Sequence, residues 1–226
     1  MIDLHSHVLP GIDDGAADLA ESLAIARAAA AAGITVLAAT PHVRDDYPTE
    51  PAEMERLLAE VRAAVAAEGI PLEVVSGGEL SLEMAAGLAF EEIRRFGLAG
   101  NPRYALIETP YVGWPLDMAH RLFELRAADI TPVLAHPERN AEVQAQPGRL
   151  RELVEAGTLV QVTAASLDGR LGRRARGCGL HLVAEGLAHL IASDAHEASV
   201  RQIGMRAACE AVGDPLLAEW LTVEVP

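Results

Sequence analysis

Short apolar runs alternate with longer amphipathic stretches along the chain, and this alternation constrains the fold more than any other feature. The pattern is typical of repeated strand and helix units around a parallel sheet. We therefore predict an α/β fold with seven strands. The predicted strands are Ile2–Leu4, Thr35–Ala39, Leu72–Ser76, Tyr104–Ile107, Thr131–Ala135, Leu159–Val162 and His189–Ala192.

The stretches between these runs carry signals for helix ends. Asp18 is a predicted N-cap of the first helix, which stops at Gly33, and Thr49 is a predicted N-cap of the second, which stops at Gly69. Further helices are predicted at Leu82–Arg95, Leu116–Ala128, Arg149–Ala156, Leu171–Ala184 and Val200–Val212. Because no linker interrupts the alternation and 226 residues suffice for one core, we expect residues 1–226 to form one domain.

Histidines and acids lie at the C-terminal ends of nearly all the predicted strands, in HSH, TPH, GGE, LIETP, LAHPER and SDAH. Only the sixth strand, ending in VQVTAAS, offers no obvious ligand. In a parallel barrel all strand C-termini face one side, so residues far apart in sequence converge on one pocket. The candidate metal ligands are His5, His7, Asp14, His42, Glu79, Glu108, His136, Asp194 and His196.

The number and type of these residues predict a multinuclear metal site. Residues i and i+2 of a strand point to the same face, so His5 and His7 can bind one ion together, as can Asp194 and His196. Five imidazoles and four carboxylates exceed the needs of one ion, which implies two or three divalent metals. Nitrogen and oxygen donors without thiolate suit Mn, Fe or Zn. Spacing does not separate Asp14 from Asp13, because either acid can ligate while the other orients a histidine or an amide.

Composition narrows the possible partners. A formal net charge of −15 disfavours binding of nucleic acid or anionic lipid through a broad basic face. No basic N-terminal region and no apolar run of about 18 residues is present, so we expect no membrane insertion and a cytoplasmic protein. The remaining histidines, His120, His181 and His189, are expected to be surface or hydrogen-bonded core residues.

The motif set resembles the polymerase and histidinol phosphatase (PHP) superfamily, with its initial HxH, mid-chain His and Glu, and terminal DxH. In order and over nearly the full length, HSHVLPGIDDGA, ATPH, GGE, LIETP, AHPERN and SDAH resemble the bacterial manganese-dependent tyrosine-protein phosphatases of capsule and exopolysaccharide operons. This resemblance implies a distorted seven-stranded, TIM-like barrel with three metal ions, Mn foremost. It also implies a phosphotyrosine protein as substrate, and a tyrosine autokinase controlling polysaccharide export as the partner.

The resemblance further assigns roles to individual residues. It implies three ligand groups, which are His5, His7, Glu108 and Asp194; Glu79, Glu108 and His136; and Asp14, His42 and His196. It favours Asp14 over Asp13 as a ligand, and it implies that Arg139 and Arg201 hold the substrate phosphate while a metal-bridging water attacks phosphorus. A phosphatase of small molecules such as histidinol phosphate, and a catalytically silent metal-binding scaffold, remain alternative hypotheses. The net charge disfavours a DNA exonuclease of the same superfamily.

Overall fold

The computed structural model describes residues 1–198 and 202–226. Within these ranges the chain forms nine strands, and all of the pairings between them are parallel. The strands are β1 Ile2–Ser6, β2 Val36–Ala39, β3 His42–Val43, β4 Glu73–Ser76, β5 Glu79–Ser81, β6 Tyr104–Glu108, β7 Thr131–Ala135, β8 Leu159–Thr163 and β9 Leu190–Ala192.

Two sheets share these strands. The smaller has the order β1-β2-β4 and the larger the order β3-β5-β6-β7-β8-β9. The end of β1 also lies beside the segment that follows β9, because the amide of His7 donates to the carbonyl of Ala195 at 2.8 Å and the amide of Asp194 donates to the carbonyl of His5 at 2.9 Å. The first and last strands therefore bring their histidines and acids to the same place.

The predicted α/β fold with parallel strands is confirmed, whereas the count of seven strands is not. Each predicted strand corresponds to an observed one, but the second and third are each followed by a further short strand, β3 and β5. Thr40 and Pro41 separate β2 from β3, and Gly77 and Gly78 separate β4 from β5. A Cβ atom on Gly78 would lie 2.7 Å from Cδ1 of Phe96, so the chain can pass this point only without a side chain.

The helices connect successive strands and pack against them. In the described ranges they are α1 Leu19–Ala31, α2 Pro51–Ala67, α3 Leu82–Gly87, α4 Phe90–Arg95, α5 Met118–Ala127, α6 Ala141–Ala145, α7 Arg151–Glu155, α8 Ala164–Leu167, α9 Gly172–Ala184, α10 Met205–Val212 and α11 Pro215–Glu219. Short 3-10 segments occur at Leu98–Gly100, Pro137–Arg139 and Pro147–Leu150, and a π-helical turn at Trp220–Glu224. None of the helices in residues 1–198 and 202–226 is long and apolar enough to cross a membrane.

Local signals account for some of the helix ends. The Asp18 carboxylate caps α1 as predicted, accepting a hydrogen bond from the amide of Glu21 at 3.0 Å. The predicted cap at Thr49 is wrong, because Glu50 is the N-cap of α2 and the Thr49 hydroxyl donates to the carbonyl of His42 at 2.7 Å. That hydroxyl fixes the segment that carries His42.

Two other predicted helices differ from the structure. Leu82–Arg95 is divided into α3 and α4, because Leu88 and Ala89 adopt extended conformations. The last predicted helix begins only at Met205, and Val200, where it was predicted to start, lies outside the described residues.

Candidate metal centre

The nine predicted ligands lie together at the C-terminal ends of the strands and form overlapping groups. Within each group, one ligand atom per residue lies within 4.8 Å of the others. The groups are His7, Asp14, His42 and His196; His5, Glu79 and His136; His5, His7 and Asp194; and His42, Glu79 and Glu108. Eight of the nine residues are buried, and only Asp14 is exposed.

His5 and His7, on one face of the first strand segment, form the middle of the cluster. Their Nε2 atoms are 3.3 Å apart. Each Nε2 lies 3.4 Å from Oδ1 of Asp194 and 3.5 Å from Oε2 of Glu79. Two imidazoles and two carboxylates therefore face the same small volume, as expected from the HxH spacing.

Asp14 joins two histidines from distant parts of the chain. Its Oδ1 lies 3.3 Å from Nε2 of His42 and 3.3 Å from Nε2 of His196. This is the group of three ligands that the family resemblance implies, and His7 lies with it: the His7 and His196 rings stack with centroids 3.8 Å apart.

Glu79 connects the two sides of the cluster. Its Oε1 is 2.8 Å from Nε2 of His136, and its Oε2 is 2.8 Å from Nδ1 of His42. Burial raises the pKa of this carboxyl, but His5, His136 and His42 lower it more, so the pKa lies well below its ordinary value and Glu79 is charged. Glu108 lies with Glu79, as one of the groups that the resemblance implies has it, and His42 is the third residue of this group in the structure.

The structure distinguishes Asp13 from Asp14. Asp13 Oδ2 accepts a hydrogen bond from Nδ1 of His7 at 2.7 Å and from the amide of His42 at 2.9 Å, and Oδ1 accepts from the amide of Gly15 at 2.9 Å. These contacts use Asp13 to orient a histidine and the backbone, while Asp14 faces His42 and His196 directly. An acid that fixes a histidine in this way sets which ring nitrogen is available to a metal.

Gln161 holds His5 in the same manner. Its Oε1 lies 3.0 Å from Nδ1 of His5, and because an amide oxygen only accepts, this contact leaves His5 Nε2 directed at the cluster. Gln161 belongs to β8, the strand for which no ligand was predicted. The signal in the sequence was a single polar residue between Val160 and Val162 in an apolar strand.

The electrostatics of the cluster favour cations. Burial lowers the pKa of His7, yet Asp13 and the nearby acids raise it more, to about 10. Likewise, Asp14 and Glu79 outweigh burial and raise the pKa of His42 to about 9. Histidines with such pKa values attract protons because the buried acids around them carry negative charge.

Divalent metal ions fit this donor set. His136 Nδ1 is buried without a hydrogen-bond partner among the described residues, and the buried atoms His42 Nδ1 and Glu79 Oε2 lie 2.8 Å apart but are poorly aligned for a hydrogen bond. A buried polar atom without a partner costs about 1–3 kcal/mol, so such atoms are rare unless another ligand satisfies them. The ring nitrogens and carboxylate oxygens are the donors that Mn, Fe and Zn accept.

Strained backbone positions two of these residues. His136, at the end of β7, has φ 37°, and Asp194, after β9, has φ 53°. Residues other than glycine seldom adopt such left-handed conformations, which cost about 1–3 kcal/mol and cluster at functional sites. Gly15 is needed nearby for a steric reason, because a Cβ atom there would lie 2.2 Å from the carbonyl oxygen of His7.

Arg139 lies at the edge of the cluster. Its Nη1 donates to Oδ2 of Asp194 at 2.6 Å, and its guanidinium carbon lies 4.8 Å from the centre of the Tyr111 ring. The Tyr111 ring in turn stacks on His136, with centroids 6.1 Å apart. Arg201, the second arginine that the resemblance implies, lies outside the described residues.

Arg44 is a further charged residue at the cluster that was not predicted from the sequence. Its Nη1 lies 3.3 Å from both carboxylate oxygens of Glu108. The position of Arg44, two residues after His42, was the available signal. In contrast, His120 and His181 are exposed, and His189 accepts a hydrogen bond from the amide of Val160 at 3.1 Å, in agreement with their predicted structural roles.

Comparison with known proteins identifies the family. The family model described as capsular polysaccharide synthesis, CpsB/CapC, matches residues 1–216. The chain belongs to the CpsB/CapC family. This confirms the resemblance inferred from the motifs.

Members of the CpsB/CapC family with curated names are similar to this chain over most of its length. The tyrosine-protein phosphatase YwqE of Bacillus subtilis is 38% identical over 204 residues, covering 89% of this chain and 79% of that protein. The putative tyrosine-protein phosphatase CapC of Staphylococcus aureus is 31% identical over 204 residues, with the same coverage of 89% and 79%.

A solved structure of the CpsB/CapC family has the same fold. It comes from the crystallographic description of YwqE from Bacillus subtilis and CpsB from Streptococcus pneumoniae as unique metal-dependent tyrosine phosphatases. The TM-score is 0.87 at 35% identity, covering 98% of this chain and 94% of the other.

Proposed function

We propose that this protein is a metal-dependent protein-tyrosine phosphatase that acts in capsular or exopolysaccharide synthesis. The observation that carries the proposal is the buried cluster in which His5, His7, Glu79 and Asp194 direct their donor atoms at one volume. Membership of a family whose relatives are named tyrosine-protein phosphatases supports the choice of substrate.

The predicted ligands would hold divalent metals, three in number and Mn foremost. They are His5, His7, Asp14, His42, Glu79, Glu108, His136, Asp194 and His196. When bound, such ions lower the pKa of water toward about 7 and neutralise charge on phosphoryl oxygens. The overlap of the groups at His5, His7, His42 and Glu79 supports more than one ion, because each of these residues lies in two groups.

The other residues of the site orient these ligands and bind the substrate. Asp13 and Gln161 fix the rings of His7 and His5, so that Nε2 of each faces the cluster. Arg139 holds a phosphate oxygen from the edge, and the fixed position of its guanidinium limits the entropy lost on binding. Arg201 is assigned the same role from the family resemblance alone. No covalent phosphoenzyme is needed, because the reaction depends on positioning and on electrostatic stabilisation of the transferred group.

We also infer that the two sheets belong to one distorted barrel, within a single domain of residues 1–226. The contacts of His7 and Asp194 across β1 and the segment after β9 support this inference. So does the direct succession of β2 by β3 and of β4 by β5, which links the smaller sheet to the larger. A crystal structure of the protein would test the closure.

The physiological substrate would be a phosphotyrosine protein, and a tyrosine autokinase of polysaccharide export is the proposed partner. The substrate sits against an exposed rim that includes Tyr111 and Val112. The Tyr111 ring suits a phosphotyrosine ring, since aromatic pairs stack with centroids about 4.5–7 Å apart.

The test is a substrate panel with Mn-loaded protein: a phosphotyrosine peptide, the matched phosphoserine peptide, and histidinol phosphate. We expect hydrolysis of the phosphotyrosine peptide above the others, loss of activity with a chelator, and at least about a 100-fold loss in His136→Ala. His120→Ala, at an exposed position on α5, is the matched control and should behave like the wild type. Preference for histidinol phosphate would indicate a small-molecule phosphatase, and metal binding without turnover on any substrate would indicate a scaffold.

A further inference from the structure

Arg44 makes two different contacts with acids. With Asp46 it forms a bidentate ion pair, in which Nε donates to Oδ1 at 2.7 Å and Nη2 donates to Oδ2 at 3.0 Å. With Glu108 it uses Nη1 alone, shared between two oxygens at 3.3 Å each. Short bidentate ion pairs are stronger than long contacts through one nitrogen. The contact with Glu108 is therefore the one that Arg44 can give up for a ligand.

The backbone and an aromatic ring hold Arg44 in place. Its amide donates to the carbonyl of Tyr47 at 3.1 Å, and the amide of Tyr47 donates back at 2.9 Å. The guanidinium carbon lies 5.4 Å from the centre of the Tyr47 ring, which stacks on His42 with centroids 5.7 Å apart. The orientation of the guanidinium is therefore fixed before any ligand arrives.

Arg139, on another part of the cluster, has neighbours of the same kinds as Arg44. It contacts the carboxylate of Asp194 and the ring of Tyr111, which stacks on His136. Each arginine thus touches one acid among the predicted ligands and one tyrosine that stacks on a histidine among them. The similarity of the two arrangements suggests a similar task.

A cavity connects Arg44 to the rim of the site. It has a volume of about 320 Å³ and is lined by Arg44, Asp46, Glu108, Pro110 and Tyr111, among others. Cavities of about 300–1,000 Å³ are usual for small ligands. Among the described residues that line it, Arg44 is the only cation and the other charged residues are acids, so Arg44 is the attractive partner that these residues offer to an entering anion.

We propose that Arg44 is a further phosphate-binding arginine, held by Asp46 and acting together with Arg139. The proposal rests on the function proposed above. When Glu108 serves as a metal ligand, its oxygens are engaged, and the N–H groups of Arg44 Nη1 donate to the phosphate of a substrate whose ring lies in the cavity beside Tyr111. Asp46 keeps the guanidinium in place during this exchange.

The first experiment compares Arg44→Gln and Arg44→Lys with the wild type, all loaded with Mn, on a phosphotyrosine peptide. Because a hydrogen bond to a charged group contributes about 1.5–3 kcal/mol, we expect Arg44→Gln to lower kcat/KM about 10- to 100-fold. Arg44→Lys keeps the positive charge but lacks the planar set of N–H donors of a guanidinium. Its kcat/KM should therefore lie between those of Arg44→Gln and the wild type. Arg103→Gln removes an exposed arginine that pairs with Asp129 at 3.2 Å and is the matched control, with no expected change.

The second experiment does not depend on turnover. Binding of inorganic phosphate and of Mn is measured separately by calorimetry for each variant. We expect Arg44→Gln to weaken phosphate binding about 10-fold or more while Mn stoichiometry stays unchanged, and Asp46→Asn to shift phosphate binding in the same direction by less. Weaker Mn binding with unaltered phosphate affinity would make Arg44 a counter-ion of Glu108 only, and the proposal would be wrong.

The two experiments separate this proposal from the proposed function. If the wild type does not hydrolyse the phosphotyrosine peptide, the proposed function fails, while the phosphate titrations still decide the role of Arg44. If the wild type is active and Arg44→Gln, Arg44→Lys and Asp46→Asn all match it in KM and phosphate affinity, the proposal about Arg44 is rejected and the function stands.

Discussion

The carboxylate of Asp13 lies 2.7 Å from Nδ1 of His7, and this contact leaves Nε2 of His7 facing Glu79 and Asp194. The side chain of the next residue, Asp14, instead faces the cluster, and its Oδ1 lies 3.3 Å from Nε2 of His42 and 3.3 Å from Nε2 of His196. The two adjacent acids thus have different contacts: Asp13 orients a predicted ligand, and Asp14 is itself a predicted ligand.

Asparagine substitutions at the two positions should separate these tasks. Asp14→Asn removes a carboxylate ligand, so we expect fewer metal ions per chain even at saturating Mn. Asp13→Asn should keep the full number and lower the affinity about 10- to 100-fold, because residues that orient ligands have effects of this size. Metal analysis and calorimetric titration measure the two quantities. Asp117→Asn, at an exposed site, is the control. The assignment would be reversed if Asp13→Asn lost an ion and Asp14→Asn kept them all.

The fold could be predicted where the signal was a continuous apolar run. All of the predicted strands correspond to observed ones, but the two-residue strand His42–Val43 and the three-residue strand Glu79–Ser81 were missed. Such short segments have no periodicity of their own, and their pairing is decided by neighbouring strands. Thr49 looked like a helix cap, but its hydroxyl binds the carbonyl of His42, a tertiary contact that local sequence cannot reveal.

The site was predictable in its residue types but not in its fine arrangement. The motifs selected the nine residues that the structure brings together. The left-handed conformations of His136 and Asp194 could not be read from the sequence, because neither is glycine and the surrounding fold imposes them. Arg44 was missed because an arginine in a polar loop is usually a solvated surface residue.

Gly15 provides a test of how closely the loop carrying the acids fits over the first strand. A Cβ atom there would lie 2.2 Å from the carbonyl oxygen of His7, so Gly15→Ala should displace the loop. We expect a fall of about 1–3 kcal/mol in the free energy of unfolding, measured in urea, together with weaker Mn binding. Gly177→Ala, in α9 with nothing within 4 Å, is the matched control and should stabilise the protein by about 0.5–1 kcal/mol. Equal effects of the two substitutions would contradict the close fit.

A substitution at Gln161 tests whether its hydrogen bond with His5 fixes the His5 ring. Gln161→Met fills the same space but removes the oxygen that accepts from His5 Nδ1 at 3.0 Å. The ring is then free to rotate or to change tautomer, so we expect Mn affinity to fall about 10-fold or more. The free energy of unfolding should fall by about 1–3 kcal/mol, because the buried Nδ1–H of His5 loses its acceptor. Competition with a metal indicator measures the affinity, and Gln146→Met at an exposed turn is the control. Unchanged affinity would show that packing alone holds the ring.

His189 predicts an acid-sensitive contribution to stability that is separate from the metal cluster. Burial lowers the pKa of this ring below its ordinary value of 6.5, against a smaller opposing effect of the Leu187 backbone. The neutral ring accepts from the amide of Val160 at 3.1 Å, and a protonated ring cannot. Below pH 6.5 the His189 ring binds a proton in the unfolded chain but stays neutral in the folded protein until the pH approaches the lower folded pKa. The contribution is therefore present above pH 6.5 and is lost as the pH falls from there toward the folded pKa.

The measurement is urea unfolding in a chelator from pH 8 to pH 5, for the wild type and His189→Asn. Asparagine can still accept a hydrogen bond but does not titrate in this range, so its stability should fall less steeply below pH 6.5. The difference in slope is at most about 1.4 kcal/mol per pH unit, the value for one proton. His181→Asn, on the exposed face of α9, should follow the wild type. Parallel curves for the wild type and His189→Asn would mean that the His189 ring accepts a proton in the folded protein as readily as in the unfolded chain.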